Sequence, residues 1–179
     1  YLRIDRMDDR FMGVIQSAMS AFRDTKGLIV DVRGNGGGTR TPLLMLAGYL
    51  TGPEEAPWIG NVARYRTSDR FDRDHLRARY MLRADDPQLE EAQQEAIRVI
   101  AEDFRPEWDR EEGFSAWHYL VLGRNGQEEE YFYDKPVVIL SDSDCFSATD
   151  IFLGAFAGRP GITLMGEPSG GGSARSQSF

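Results

Sequence analysis

The sequence predicts an α/β fold, a mostly parallel sheet with flanking helices and one inserted helical and hairpin segment. Three observations predict it. Residues 28–32 and 136–140 are short, β-branched apolar runs of the kind that parallel strands show when both their faces are covered. Each is followed by a polar or glycine-rich turn and then by a helical pattern, the alternation that builds a parallel sheet. The 179 residues, 41% hydrophobic and 28% charged, make one ordinary globular domain with a real core.

Element by element, residues 1–5 alternate as an edge strand does. From 8 to 23, Phe11, Val14, Ile15, Met19 and Phe22 recur at three- and four-residue spacing and form one helical face. Lys26-Gly27 is expected to end that helix in a left-handed turn. The strand over 28–32 runs into Arg33-Gly34-Asn35-Gly36-Gly37-Gly38. A helix follows over 41–50, with Pro42 in its first turn and Gly52-Pro53 after it.

Residues 53–134 differ in character. Residues 64–83 hold seven arginines and three acids, a local charge of +4, and residues 84–112 hold eleven acids and three arginines, −8. These runs read either as two solvated faces that pair with each other or as a lid or substrate-selecting insertion. Asp86-Pro87 predicts a helix start, with Leu89, Ala92, Ala96, Ile97, Ile100 and Phe104 as its apolar stripe down to Pro106. Residues 114–122 and 130–133, joined through Arg124-Asn125-Gly126-Gln127, predict a hairpin. After it come a strand over 136–140, a polar turn over 141–144, a helix over 146–156, a strand over 162–165 and a glycine-rich turn over 166–173. The expected organisation is a core of residues 1–52 and 135–179, interrupted by an insertion of 53–134.

Charge and composition exclude several classes. A net charge of −8 argues against DNA, RNA or an anionic membrane as the main partner. No run approaches the roughly eighteen apolar residues of a membrane span. One cysteine, Cys145, allows no internal disulfide, and two histidines 43 positions apart, His75 and His118, offer no metal-ligand spacing. No metal and no cofactor is expected. The chain opens without Met, and it reads as a piece of a longer protein.

Chemistry is expected in the turns at the strand ends, since ligands of parallel sheets collect there. The glycine turn frees backbone N–H groups to hold a phosphate or an oxyanion, or is only a tight turn. Its spacing fails both the dinucleotide pattern, where Thr39 stands at the last glycine, and the P-loop. Ser147 opens a helix whose N-terminus favours developing negative charge, with the Ala148 N–H as an oxyanion donor. The alternative is a capping box, Ser147 capping the helix while Asp150 reaches back. His75 reads as a surface residue and His118 as strand packing rather than as catalytic bases. Asp142, Asp144 and Glu167 read as turn and cap residues, and Cys145 as a partly buried thiol rather than a nucleophile.

Residues 27–38 resemble the strand-and-glycine motif of the C-terminal processing (tail-specific) serine peptidases. Residues 135–140 followed by Phe146-Ser147-Ala148-Thr149-Asp150-Ile151-Phe152 resemble that family's nucleophile segment, and Gly166-Glu167-Pro168-Ser169 its third motif. The resemblance covers 1–52 and 135–179. It implies a crotonase-like (Clp-protease-like) fold and acyl transfer through a serine. Ser147 then falls on the nucleophile, Ala148 on one oxyanion donor and Gly37 near the second, with Gly38 as its neighbour. The tail-specific branch places a basic lysine where this chain has Gly172. The chain in this respect resembles the tricorn-like and retinoid-binding-protein-like relatives, and its base is expected on chain outside residues 1–179.

The expected function is a serine peptidase acting on an extended peptide or unfolded protein, extracytoplasmic by family analogy, with residues 1–179 alone weak or inactive. The other reading is a non-catalytic relative that binds a peptide or apolar ligand in the same crevice. A nucleotide-binding domain on residues 34–38 is a third. Oligomeric state is left open.

Overall fold

The computed structural model describes residues 1–67, 75–107, 112–124 and 131–173. In chain order the elements are β1 (Leu2–Arg3), α1 (Phe11–Phe22), β2 (Leu28–Asp31), α2 (Thr41–Leu50), β3 (Trp58–Ala63), a 3₁₀ turn (Arg77–Arg79), β4 (Leu82–Arg83), α3 (Glu91–Asp103), β5 (His118–Leu122), β6 (Val137–Ser141), α4 (Ala148–Phe156) and β7 (Ile162–Gly166). The fold is α/β with flanking helices. Two compact units form, one of Tyr1–Pro53 with Arg124–Phe179 and one of Glu54–Gly123. Residues 124 and 131–134, read from sequence as insertion, thus fall in the first unit.

The first unit holds an all-parallel sheet in the order β1-β2-β6-β7. Register aligns Val30 with Ile139 and Leu164, and Asp31 with Leu140 and Met165. Leu2, Leu28, Val30, Val137 and Ile139 share one face and are buried. The opposite face is different: Ile29 is 43% and Met165 56% exposed. The expectation that β2 is covered on both sides therefore fails. On that face Val138 and Leu140 are half-buried, so the exposure is partial and the apolar run of β2 gives no sign of it. Asp31, on that same open face, is nonetheless fully buried. Arg33 Nη2 at 2.8 Å, Arg3 Nη1 at 2.9 Å and the Tyr1 hydroxyl at 2.6 Å surround its carboxylate. The Arg33 guanidinium in particular holds it far below the usual carboxylate range.

α1 starts three residues later than the apolar pattern suggests. The Asp8 carboxylate accepts the Arg10 N–H at 2.9 Å and the Asp8 carbonyl accepts the Phe11 N–H at 2.9 Å, making a turn before the helix. Ile15 and Met19 are buried, whereas Val14 is exposed. At the other end, Gly27 is not left-handed. Thr25 closes the helix instead, its Oγ1 donating to the Phe22 carbonyl at 2.7 Å. Gly27 answers a different need, because a Cβ there would lie 3.2 Å from the Pro136 carbonyl, which pairs with the Leu28 N–H. α2 occupies the expected residues and is apolar nearly all round, with seven of its residues buried.

The second unit is a three-stranded antiparallel sheet, order β3-β5-β4, with α3 packed on β3 and β5. Leu89, Ile97, Tyr119 and Val121 form its core. The expected hairpin is replaced by this sheet: β5 pairs with β3 and β4. Residues 131–133 are not strand, and the Tyr133 N–H bonds the Tyr49 carbonyl at 2.8 Å in the first unit. Residues 125–130, including the expected Asn-Gly turn, lie outside the described residues. Asp86-Pro87 likewise starts a turn rather than α3, with the Asp86 carboxylate accepting the Gln88 N–H at 3.0 Å. The helix begins at Glu91, after Glu90, whose N–H donates to Gln93 Oε1 at 3.0 Å. Arg77–Asp86 and Arg83–Asp85 ion pairs join the basic to the acidic run. No helix among the described residues is long and apolar enough to cross a membrane.

Candidate active site

All strands of the first sheet are parallel, so the turns that follow β2, β6 and β7 leave it at one edge. The structure brings these three turns together through main-chain and side-chain hydrogen bonds. The Gly34 N–H donates to Asp142 Oδ1 at 2.8 Å, and the Phe146 N–H to the Asn35 carbonyl at 3.0 Å. The Ser147 N–H donates to the Gly171 carbonyl at 2.7 Å, and the Gly170 N–H to the Cys145 carbonyl at 2.8 Å. Ser141 Oγ adds a bond to the Glu167 carbonyl at 2.8 Å.

Ser147 stands where they meet. Its backbone has φ 57° and ψ −116°, one of two described non-glycine residues at positive φ. That conformation is strained for a residue with a Cβ and persists only where its surroundings enforce it. The side chain is partly exposed and makes no capping bond to α4. The capping box is therefore absent. Asp150, its expected partner, instead accepts from Ser169 Oγ at 2.5 Å and Ser173 Oγ at 3.1 Å, fastening the third turn to α4. Among the described residues no side chain hydrogen-bonds the Ser147 hydroxyl.

Gly37 packs directly on this serine. A Cβ at Gly37 would fall 2.8 Å from Ser147 Cβ, 2.6 Å from the Phe146 carbonyl and 2.9 Å from Ala148 N, so only glycine fits. Its N–H, expected as an oxyanion donor, is taken: it donates to Asn35 Oδ1 at 2.9 Å. Gly38 sits opposite Met7, whose N–H donates to the Gly37 carbonyl at 3.2 Å. A trans peptide points the Gly38 N–H the other way, away from Met7. Among the described residues the N–H groups of Gly38 and Ala148 make no hydrogen bond, and the Ala148 N–H is one of the unpaired donors at the α4 N-terminus.

The surrounding polar groups are committed. Asp142 holds its turn, and the Gly34 N–H keeps its carboxyl below the ordinary range. Cys145 is fully buried, its Sγ donating to the Val32 carbonyl at 3.1 Å, and burial pushes the thiol up, away from nucleophilic character. Gly172 is left-handed, φ 72°, and lies under the Phe146 ring, where a Cβ would come within 1.8 Å of the ring. Both histidines belong to the second unit. His118 is buried there with Nδ1 2.9 Å from the Ala116 carbonyl, and Tyr65 lies 5.0 Å from the His75 ring and 5.8 Å from that of His118. No group of His, Cys, Asp or Glu among the described residues has the arrangement of a metal site.

Asn35 and Thr149 were not legible as site residues. Asn35 reads as one more turn former among glycines, and only its carboxamide's long-range partners set it apart.

A parallel sheet with flanking helices, its strand-end turns converging on one serine, is an α/β arrangement that solved structures share. The structure of a candidate peptidase from Parabacteroides merdae superposes with a TM-score of 0.59 at 20% identity, over 96% of this chain and 40% of that one. The photosystem II D1 C-terminal processing protease superposes with a TM-score of 0.54 at 15% identity, over 93% of this chain and 30% of that one. The chain thus spans less than half the length of either, and at these identities the likeness is one of fold. No curated protein sequence matches it. The chain belongs to peptidase family S41, whose model matches residues 1–179, in agreement with the resemblance its three motifs carry.

Proposed function

We propose that this chain carries the nucleophile of a serine peptidase. The observation that bears most weight is the Ser147 hydroxyl, uncommitted on a strained backbone beside the main-chain N–H of Ala148. In this reading Ser147 Oγ attacks the scissile carbonyl and its proton passes to a base. The Ala148 N–H and a glycine-turn N–H hold the oxyanion. With the Gly37 N–H engaged by Asn35, the second donor is assigned to Gly38. Collapse of the tetrahedral intermediate expels the amine, which takes the proton, and water then hydrolyses the acyl-enzyme.

The base lies outside residues 1–179 in this reading, as Gly172 stands where related peptidases have a lysine. General-base help is worth about 10²–10⁴ in rate, so residues 1–179 alone are weak or inactive. Robust hydrolysis by this stretch with His75 and His118 both replaced refutes that. The substrate is an extended peptide or unfolded protein whose backbone pairs with a strand edge, met outside the cytoplasm.

A second reading, a non-catalytic ligand-binding relative, is favoured by the same Gly172. A fluorophosphonate probe applied to the full-length protein separates them. Labelling that Ser147→Ala abolishes supports the peptidase, and absence of labelling under all conditions supports the binding module.

A further inference from the structure

Three consecutive glycines are the most mobile backbone a chain can contain, yet an oxyanion donor works only if it is held in place before the reaction. What holds this turn is Asn35. It is fully buried, and its groups bond five residues, Ile4, Val32, Gly37, Phe146 and Thr149. Nδ2 donates to the Ile4 carbonyl at 2.9 Å, and Oδ1 accepts both the Gly37 N–H at 2.9 Å and Thr149 Oγ1 at 2.7 Å. The Asn35 main chain donates to the Val32 carbonyl and accepts the Phe146 N–H, each at 3.0 Å. The amide orientation is unambiguous, because the Gly37 N–H only donates and the Ile4 carbonyl only accepts. Asp has no donor for Ile4, and Leu leaves Gly37 and Thr149 without an acceptor.

Thr149, itself fully buried, lies two residues after Ser147 in the first turn of α4. One carboxamide oxygen therefore ties the glycine turn and the serine turn to the same point. We propose that Asn35 is a positioning residue. It fixes the glycine-turn amides against the first turn of α4, and so sets the geometry between the Ser147 hydroxyl and the donors around it. The proposal rests on Ser147 being the nucleophile. It adds a residue that touches neither substrate nor reacting atoms.

Thr149→Val in the full-length protein is the decisive variant. It removes one hydroxyl and keeps the shape, so Asn35 Oδ1 loses the Thr149 bond that steadies it toward the Gly37 N–H. The expected result is a fall in kcat on unfolded casein, and in the rate of fluorophosphonate labelling, of about tenfold, with KM unchanged. Amide exchange at Gly37 accelerates while β2 and β6 amides keep their protection. Thr149→Ser, which restores the hydroxyl, restores both. Asn35→Ala gives the larger loss, and where it unfolds the protein the Thr149 pair still decides. Unchanged kcat and unchanged Gly37 exchange in Thr149→Val overturn the proposal, as does a Ser variant as impaired as the Val one. If the parent protein takes no fluorophosphonate label, the nucleophile reading has failed. The exchange data then decide separately whether Asn35 clamps the turn.

Discussion

Ser147 keeps a backbone that costs energy at rest, of the order of 1–3 kcal/mol for a residue outside its favoured regions. Glycine adopts φ 57°, ψ −116° without that cost, whereas alanine does not. Ser147→Gly is therefore expected to raise stability by up to about 1 kcal/mol after glycine's own entropic penalty, with Ser147→Ala near neutral. Urea midpoints of the two variants check this, and equal midpoints would show that the strain is absent. Gly172 poses the opposite problem. Alanine there meets the Phe146 ring and a left-handed backbone, and is expected to cost about 1–3 kcal/mol. Part of that loss should be recovered in a Phe146→Ala background, as for any contacting pair. Gly172→Lys should accordingly bring no gain in labelling of Ser147. Asp31 supplies a pH prediction. Its folded pKa is depressed by Arg33, the Tyr1 hydroxyl and Arg3, so its stabilisation is present above the ordinary carboxylate value of about 4 and drains away as pH falls below it. Asp31→Asn should cost about 1–3 kcal/mol near pH 7 and flatten the stability curve below pH ~4, as read by denaturation at several pH values.

At the scale of elements, α3 depends on its buried stripe rather than on its ends. Ile97 is 3% exposed, and Ile97→Ala is expected to cost about 3 kcal/mol. Val99→Ala, on the exposed face, should cost little; thermal melts compare the two. The sequence made legible those elements whose local chemistry agrees with their surroundings: α2, α4, β2, β6 and β7 lie within a residue or two of their apolar patterns. β3 was not legible, because Gly60 and Asn61 interrupt its alternation where the strand shifts register. Asp86 misled for a related reason: its side chain caps a backbone N–H, as a helix start requires, but in a turn held by Arg77. Strand ends alone suggested that the three turns converge. Gly37 against Ser147 was legible only through the family resemblance, and the Asn35–Gly37 bond was not legible at all, since nothing local announces a carboxamide's distant partners.

For the molecule as a whole, the exposed apolar residues of the parallel sheet matter most. Parallel sheets are ordinarily covered on both sides, and here Ile29 and Met165 meet solvent. An environment-sensitive apolar dye should bind the native chain, and Ile29→Thr with Met165→Thr should weaken that binding without a change in secondary structure. Dye binding that ignores both changes would place the apolar surface elsewhere. The turns at the sheet edge have a different consequence. They are laced to one another partly by amide-to-carbonyl bonds, which depend little on side chains, and partly by the side chains of Asn35, Asp142 and Asp150. The main-chain share of this lacing holds the Ser147 backbone without calling on the residue at 172.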